Sequence, residues 1–309
     1  MMSRQIQWYP GHMHKASKEI REALSQVDVF IELLDGRIPF SSENPMLESL
    51  RKGKPCLKVM TKSDLSDPEL SEAWELHYNG KDEIAATVIS VKQLGSVRRI
   101  PDLCRKLYRQ SGRNHSPFTA MVVGIPNVGK SSLINALVGK TIARTGNEPA
   151  ITRMQQRIRL SDDMILLDTP GVLWPNVENP HSGFRLAITG AIRDTAISHE
   201  DVAHYAAAFL IEAYPDRLME RYGLDQIPGR DYEVLQAIGQ KRGCLRSGGK
   251  VDMDRVAKIL LTEIRDGMLG GLTFETPEMM TKELEEVQRL REQKAAKKLA
   301  RKQKWKNGT

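Results

Sequence analysis

Gly124-Ile-Pro-Asn-Val-Gly129-Lys130-Ser131 is the stretch that decides the fold. An apolar, strand-like run, Phe118 to Val123, leads into it, and Ser132 to Val138 continue it with helical composition. A glycine-bounded loop closed by Lys-Ser between a strand and a helix is a phosphate-binding loop. The glycines let backbone N–H groups turn inward around a β-phosphate, and the helix N-terminus adds its dipole. Lys130 is expected to bridge the β- and γ-phosphates and Ser131 to ligate Mg²⁺. The nucleotide-contacting run is therefore Asn127, Val128, Gly129, Lys130, Ser131 and Ser132.

Downstream, Asp168-Thr-Pro-Gly171 ends another apolar strand. A carboxylate there can hold Mg²⁺ through water, and Gly171 can meet the γ-phosphate. Thr152, in the intervening loop, is the natural second hydroxyl for the metal. Upstream, Thr61-Lys62-Ser63-Asp64 follows a strand and is similar to the guanine-reading motif Asn-Lys-x-Asp. Asp64 would accept from guanine N1 and N2, a donor pattern adenine lacks, and Lys62 would lie along the base. Ser90-Val91-Lys92 follows a third strand, where backbone N–H groups could contact guanine O6. Taken singly, TKSD reads equally well as a helix-capping turn and SVK as any strand end. Together with the phosphate loop they point to GTP.

The order of these motifs is unusual. The guanine motifs at 61–64 and 90–92 precede the phosphate loop at 124–131, which precedes Thr152 and Asp168. This order resembles the circularly permuted GTPases. With Trp8-Tyr-Pro-Gly-His-Met13 and the total length, the chain resembles the YlqF/RbgA family of ribosome-biogenesis GTPases. The resemblance implies a GTP-hydrolysing factor that binds the large ribosomal subunit and its rRNA late in assembly, with the particle stimulating turnover. It also implies a water-orienting or catalytic role for His12, because Val172 stands where many GTPases place a glutamine. A potassium ion held by Asn127 is the other candidate, since that residue resembles the asparagine of potassium-activated GTPases. For both residues the plain readings stay open: a solvated helix start at His12-Met13-His14, and turn formation at Asn127. Two departures from the family pattern stand out. Thr61 replaces the usual asparagine, which removes an amide bridge to the phosphate loop, and Asp35-Gly36-Arg37 replaces Asp-Ala-Arg. Asp35 and Arg37 read as an ordinary structural turn.

Working outward, strand-like runs at 27–35, 56–60, 86–90 and 118–123 alternate with helical stretches, which predicts a mostly parallel sheet covered on both faces. The fold expected is an α/β, circularly permuted P-loop GTPase domain at 1–184. A smaller all-α domain at 185–280 and a charged, basic tail at 281–309 follow. The segment at about 171–190 should respond to the γ-phosphate and so reposition the helical part.

The chain has 309 residues, an ordinary globular composition and three scattered cysteines. That excludes a disulfide scaffold or structural zinc and suits a reducing cytoplasm. No apolar run approaches the roughly 18–20 residues of a membrane span, and the N-terminus lacks a secretory core. Net charge is +7, and the seven cations after Glu292 account for all of it. Lys297, Lys298, Arg301 and Lys302 of this tail, with Lys241, Arg242, Arg246 and Lys250, are the candidate RNA contacts. A solvated charged helix is the plain alternative for the tail. The expected partners are GTP or GDP, Mg²⁺, K⁺ and ribosomal RNA, with no membrane, for a monomer. Two other functions fit the residues: an RNA-binding protein with a structural guanine nucleotide, and a GTPase of another RNA process such as tRNA modification.

Overall fold

The computed structural model describes residues 6, 8–142, 156–175 and 177–307, with side chains described as far as Lys298. The strands are β1 (Val29–Asp35), β2 (Cys56–Thr61), β3 (Ile84–Val88), β4 (Phe118–Gly124), β5 (Gln156–Arg159) and β6 (Met164–Asp168). They form a six-stranded sheet in the order β3-β2-β1-β4-β6-β5. Every neighbouring pair is parallel except β5 against β6. All seven residues of β1 and of β4 are buried, which is why both read as mainly apolar runs without alternation: a central parallel strand has no solvent face, and Glu32 within β1 is paired with Lys58.

The helices are α1 (Gly11–Ala23), α2 (Pro45–Arg51), α3 (Pro68–Asn79), α4 (Leu94–Arg98), α5 (Ile100–Gln110) and α6 (Lys130–Val138), then α7 (Pro180–Ile188), α8 (His199–Ala213), α9 (Pro215–Tyr222), α10 (Asp231–Lys241), α11 (Met253–Arg265) and α12 (Pro277–Asn307). Local chemistry sets their starts. Asp67 caps α3 by accepting from the N–H groups of Glu69 and Leu70, with Pro68 in the first turn. Ser198 caps α8 and Asp252 caps α11 in the same way. Pro215 both stops α8 and opens α9, since its missing N–H costs nothing in a first turn.

Parallel pairing puts the carboxyl ends of β1, β2, β3, β4 and β6 along one edge. The turns Asp35–Arg37, Thr61–Asp64, Ser90–Lys92, Gly124–Ser131 and Asp168–Gly171 all leave from that edge. The strand order reverses between β1 and β4, and a crevice at such a point is where doubly wound sheets bind ligands. Chain order is irrelevant to this geometry, so a permuted sequence can build the same edge.

Residue 184, where the sequence places a domain boundary, lies inside α7. One apolar core runs from the sheet into the helical part, through Leu186, Ile188, Val202, Leu210, Leu260 and Phe274. The chain then returns to the sheet. Leu272 N donates to Leu65 O at 2.9 Å and Phe274 N to Arg37 O at 2.8 Å. The first turns of α12 are part of the packed body: Met280 joins Trp74 and Tyr78 in a second core cluster, and Glu283 is buried.

Candidate functional site: a phosphate loop and a base-reading turn on one sheet edge

The phosphate loop and the end of β6 each carry a buried, poorly compensated ionisable group. Lys130 Nζ folds back to donate to Gly124 O (3.1 Å) and Ile125 O (2.9 Å). Burial lowers its pKa to about 8, against the opposing pull of Asp168. Asp168 is buried at the end of β6, and among the described residues neither of its carboxylate oxygens has a well-formed hydrogen bond, the backbone of Thr169 giving only a weak pull on it. Burial raises its pKa to about 6, only partly offset by Lys130. Buried carboxylate oxygens without donors are the environment a hard cation satisfies. The residues present thus fit Mg²⁺.

Gly129 caps α6 with φ 101°, a left-handed conformation that favours glycine, and turns the chain into the helix. Ser131 and Ser132 lie in the first turn of α6, where backbone N–H groups have no intrahelical acceptor. Gly171 approaches the loop closely: a Cβ there would come within 2.9 Å of Pro126 Cα and 3.0 Å of Lys130 Nζ. Val172 is buried, and its N–H donates to Gly124 O at 3.2 Å. Asn127 adopts φ 59° and donates from Nδ2 to Gly190 O at 2.8 Å, which links the loop to the turn after α7. Thr152 lies outside the described residues.

At the other end of the edge the two guanine-type motifs meet. Ser90 Oγ donates to Asp64 Oδ1 at 2.7 Å, and Lys92 Nζ pairs with Asp64 Oδ2 at 2.7 Å. Burial would raise the Asp64 pKa, but these donors from Lys92 and Ser90 hold it below the usual range. Val91, between them, is half-buried against the core. Thr61 corrects one reading of the sequence. Its Oγ1 lies 2.7 Å from Val128 O and 3.1 Å from Leu34 O, so a hydroxyl bridge to the phosphate loop stands in place of the missing amide bridge.

The Asp35–Arg37 turn is more than a turn. Arg37 clamps Asp35 bidentately at 2.9 and 2.8 Å, and Lys62 Nζ donates to the same carboxylate at 2.8 Å. Despite its burial, these cations hold Asp35 well below the usual carboxylate range. Sequence reasoning missed this tie because nothing in the spacing of Asp35 and Lys62 says that β1 and β2 are neighbours in register at Asp35 and Thr61.

His12 is exposed at the start of α1. Partial burial and then the charge of Arg193 lower its pKa. Among the proposed RNA contacts, Arg242 pairs with Glu263 and Arg246 with Asp252, at 2.7 and 2.8 Å. Lys241 and Lys250 are exposed and form no ion pair among the described residues. Lys250 lies within the turn closed by the Leu245–Val251 bridge, and Lys241 precedes that turn at the end of α10. Lys297 and Lys298 are exposed on α12; the backbone of Arg301 and Lys302 continues the helix. Among the described residues no cluster of His, Cys, Asp and Glu forms a separate metal site.

Comparison with known proteins agrees with this geometry. A family model described as 50S ribosome-binding GTPase matches residues 119–222. Ribosome biogenesis GTPase A of Bacillus cereus is 43% identical over 294 residues, covering 93% of this chain and 99% of that protein. Mitochondrial ribosome-associated GTPase 1 of Mus musculus is 39% identical over 296 residues, covering 87% of this chain and 89% of that one. Among solved structures, the GNP-bound YlqF of T. maritima superposes with a TM-score of 0.59 at 24% identity, covering 86% of this chain and 99% of that one. This last likeness concerns the fold.

Proposed function

The chain belongs to the family of ribosome biogenesis GTPase A and is a GTP hydrolase of ribosome assembly, and we propose that it acts as a GTP-dependent switch on the large subunit and its rRNA. The observation that carries the nucleotide chemistry is the pair Lys130 and Asp168, both buried; among the described residues the first is bonded to carbonyls of its own loop and the second has no well-formed hydrogen bond.

In this reading the N–H groups from Asn127 to Ser132 wrap the β-phosphate, and Lys130 leaves its two loop carbonyls for the β- and γ-phosphates. Ser131, Thr152 and Asp168 would hold Mg²⁺, which neutralises charge developing on the phosphate oxygens. Gly171 N–H takes the γ-phosphate, a role its close approach to Lys130 supports. Asp64 reads guanine N1 and N2, Lys62 lies along the base, and the backbone of Ser90, Val91 and Lys92 meets O6. No side chain at Val172 can orient water. That task falls to His12, or to a K⁺ held by Asn127; the lowered pKa keeps the His12 imidazole neutral and able to accept at neutral pH.

The 1–184 part would read the nucleotide and the 185–280 part the RNA, with α7 as the joint and 281–309 as a basic helical extension. Of the RNA candidates, Lys241, Lys250, Lys297 and Lys298 are supported by exposure, while Arg242 and Arg246 would have to exchange a carboxylate partner for a phosphate. Arg301 and Lys302 extend the same helix. No described helix is long and apolar enough to cross a membrane, and the cysteines suit the cytoplasm.

The test is GTP turnover in K⁺ and in Na⁺, with and without purified large subunits, for the wild type and His12→Ala. Stimulation by subunits that is lost in His12→Ala with nucleotide binding intact supports the switch and its catalytic residue. Stimulation that survives moves catalysis to K⁺ and Asn127. No stimulation under any condition overturns the switch.

A further inference from the structure

Asn44 sits in the loop between β1 and α2 and is 1% exposed. All its polar groups are used. Its N–H donates to Glu32 Oε1 at 3.2 Å, and its Oδ1 accepts from Met46 N at 3.0 Å, capping α2. Its Nδ2 donates to Val172 O at 3.1 Å, across 128 positions of sequence. The cap explains the oxygen. It does not explain the amide nitrogen, which among the described residues serves the residue after Gly171.

The anchor behind Asn44 is stiff. Glu32 belongs to the central strand β1 and is fixed by Lys58 at 2.8 Å, and Lys58 is fixed in turn by Glu43 at 2.6 Å. Val172 is thereby pinned at both backbone groups: its N–H to Gly124 O and its carbonyl to Asn44 Nδ2. Gly171 has only Val172 between it and this anchor on its C-terminal side, and its own close contacts are with Pro126 and Lys130.

We propose that Asn44 is a positioning residue for GTP: its side-chain amide holds the Val172 peptide so that Gly171 N–H meets the γ-phosphate. The inference rests on the reading of Gly171 given above. GDP has no γ-phosphate, so the effect of Asn44 is confined to the triphosphate state and to turnover. A residue that only built the loop would weaken both nucleotides alike.

Asn44→Ser separates the two roles of the side chain, because serine keeps an N-cap oxygen and loses the amide. Asn44→Ala loses both. Affinities for fluorescent GDP and for a fluorescent non-hydrolysable GTP analogue, both with Mg²⁺, are compared with turnover at saturating GTP; Gly171→Ala is the control for the premise. Asn44→Ser should bind the analogue about tenfold more weakly, the scale of one lost hydrogen bond, with GDP affinity near wild type and a thermal midpoint lowered modestly by the unpaired Val172 carbonyl. Turnover should fall with analogue affinity, and Asn44→Ala should share that loss with a still lower midpoint, because the cap on α2 goes as well. If Asn44→Ser matches the wild type on both nucleotides while Gly171→Ala discriminates between them, the amide does no positioning and the proposal is overturned. Equal weakening of GDP and analogue also overturns it, as a purely structural effect. If Gly171→Ala does not discriminate either, the γ-phosphate reading fails first and the proposal falls with it.

Discussion

Thr61 Oγ1 lies 2.7 Å from the carbonyl oxygen of Val128, joining the base-reading turn to the phosphate loop. Both residues are buried, so the hydroxyl fixes the distance between the two ends of the nucleotide site without help from water. Thr61→Val should leave the Val128 carbonyl unpaired at a cost of about 1–3 kcal/mol. The cost should appear partly as lower stability and partly as weaker binding of GDP and GTP alike. Thr61→Ser should restore both. Denaturant unfolding together with fluorescent-nucleotide titration checks this, and a Thr61→Val protein with unchanged affinity and midpoint would show the bridge to be incidental.

Asp64 owes its orientation to Ser90 and Lys92, each of which holds one of its two oxygens. A carboxylate so placed accepts two N–H groups from guanine. Asparagine at the same place presents one donor and one acceptor, which suits the 2-oxo group of xanthine. Asp64→Asn is expected to weaken GDP by about 100-fold, since a site built to pair polar groups rejects the base that leaves them unpaired. Xanthosine diphosphate should gain affinity in the same variant. Competition titrations with the two diphosphates measure the exchange; parallel loss of both would remove Asp64 from base recognition.

The local part of this site was legible in the sequence and the long-range part was not. Gly124–Ser131 announces itself because strand, glycine turn and helix are consecutive, and the strands β1 and β4 show as apolar runs because both their faces are covered. Strand ends were less legible: the third strand reads as 86–90 and lies at Ile84–Val88, shifted because its edge position leaves it only partly buried. The ties from Asp35 to Lys62, Asn44 to Val172 and Asn127 to Gly190 join segments 27 to 128 residues apart. Such contacts follow from strand order and register, which a motif does not encode. The basic stretch at 241–250 was read by charge alone, and the carboxylates that take up Arg242 and Arg246 sit in α11 and just before it.

Arg185 locks the start of α12 to the rest of the molecule. It is 1% exposed, donates to both oxygens of Glu283 at 2.9 and 2.6 Å, and lies 3.4 Å from Glu275, which also accepts from Phe40 N and Ser41 N. Removing the cation strands two buried carboxylates, so Arg185→Met should cost about 3–5 kcal/mol at pH 7. Burial already raises the Glu275 pKa, and losing Arg185 raises it further. A carboxylate with a raised folded pKa favours the folded state at low pH and loses that contribution as pH rises through the folded value. The deficit of Arg185→Met should therefore shrink on acidification toward pH 5. Urea unfolding at both pH values decides it, and a deficit independent of pH would assign the loss to packing alone.

Asp168 sets a pH limit on metal binding. Its pKa is raised to about 6 by burial, above the roughly 3.9 of an unfolded aspartate. In the nucleotide-free protein the group therefore contributes stability that is full below about pH 4 and is lost as pH rises through 6. Mg²⁺ requires the ionised form, so lowering the pH from 7 to 5 should raise the Mg²⁺ concentration needed for half-maximal nucleotide binding by about tenfold, one proton being displaced per metal below the pKa. Asp168→Asn should remove this pH dependence, weaken the Mg²⁺ effect at every pH and flatten the apo thermal midpoint between pH 4 and 6 relative to wild type. Lys130 works in the opposite sense: its lowered pKa of about 8 disfavours the charged lysine in the folded apo state, and without Asp168 its charge has less compensation. The midpoint gained by Asp168→Asn at pH 7 should consequently be smaller than the Asp168 shift alone implies. An Mg²⁺ requirement that stays constant from pH 7 to 5 in the wild type would show that Asp168 is already ionised in the apo site.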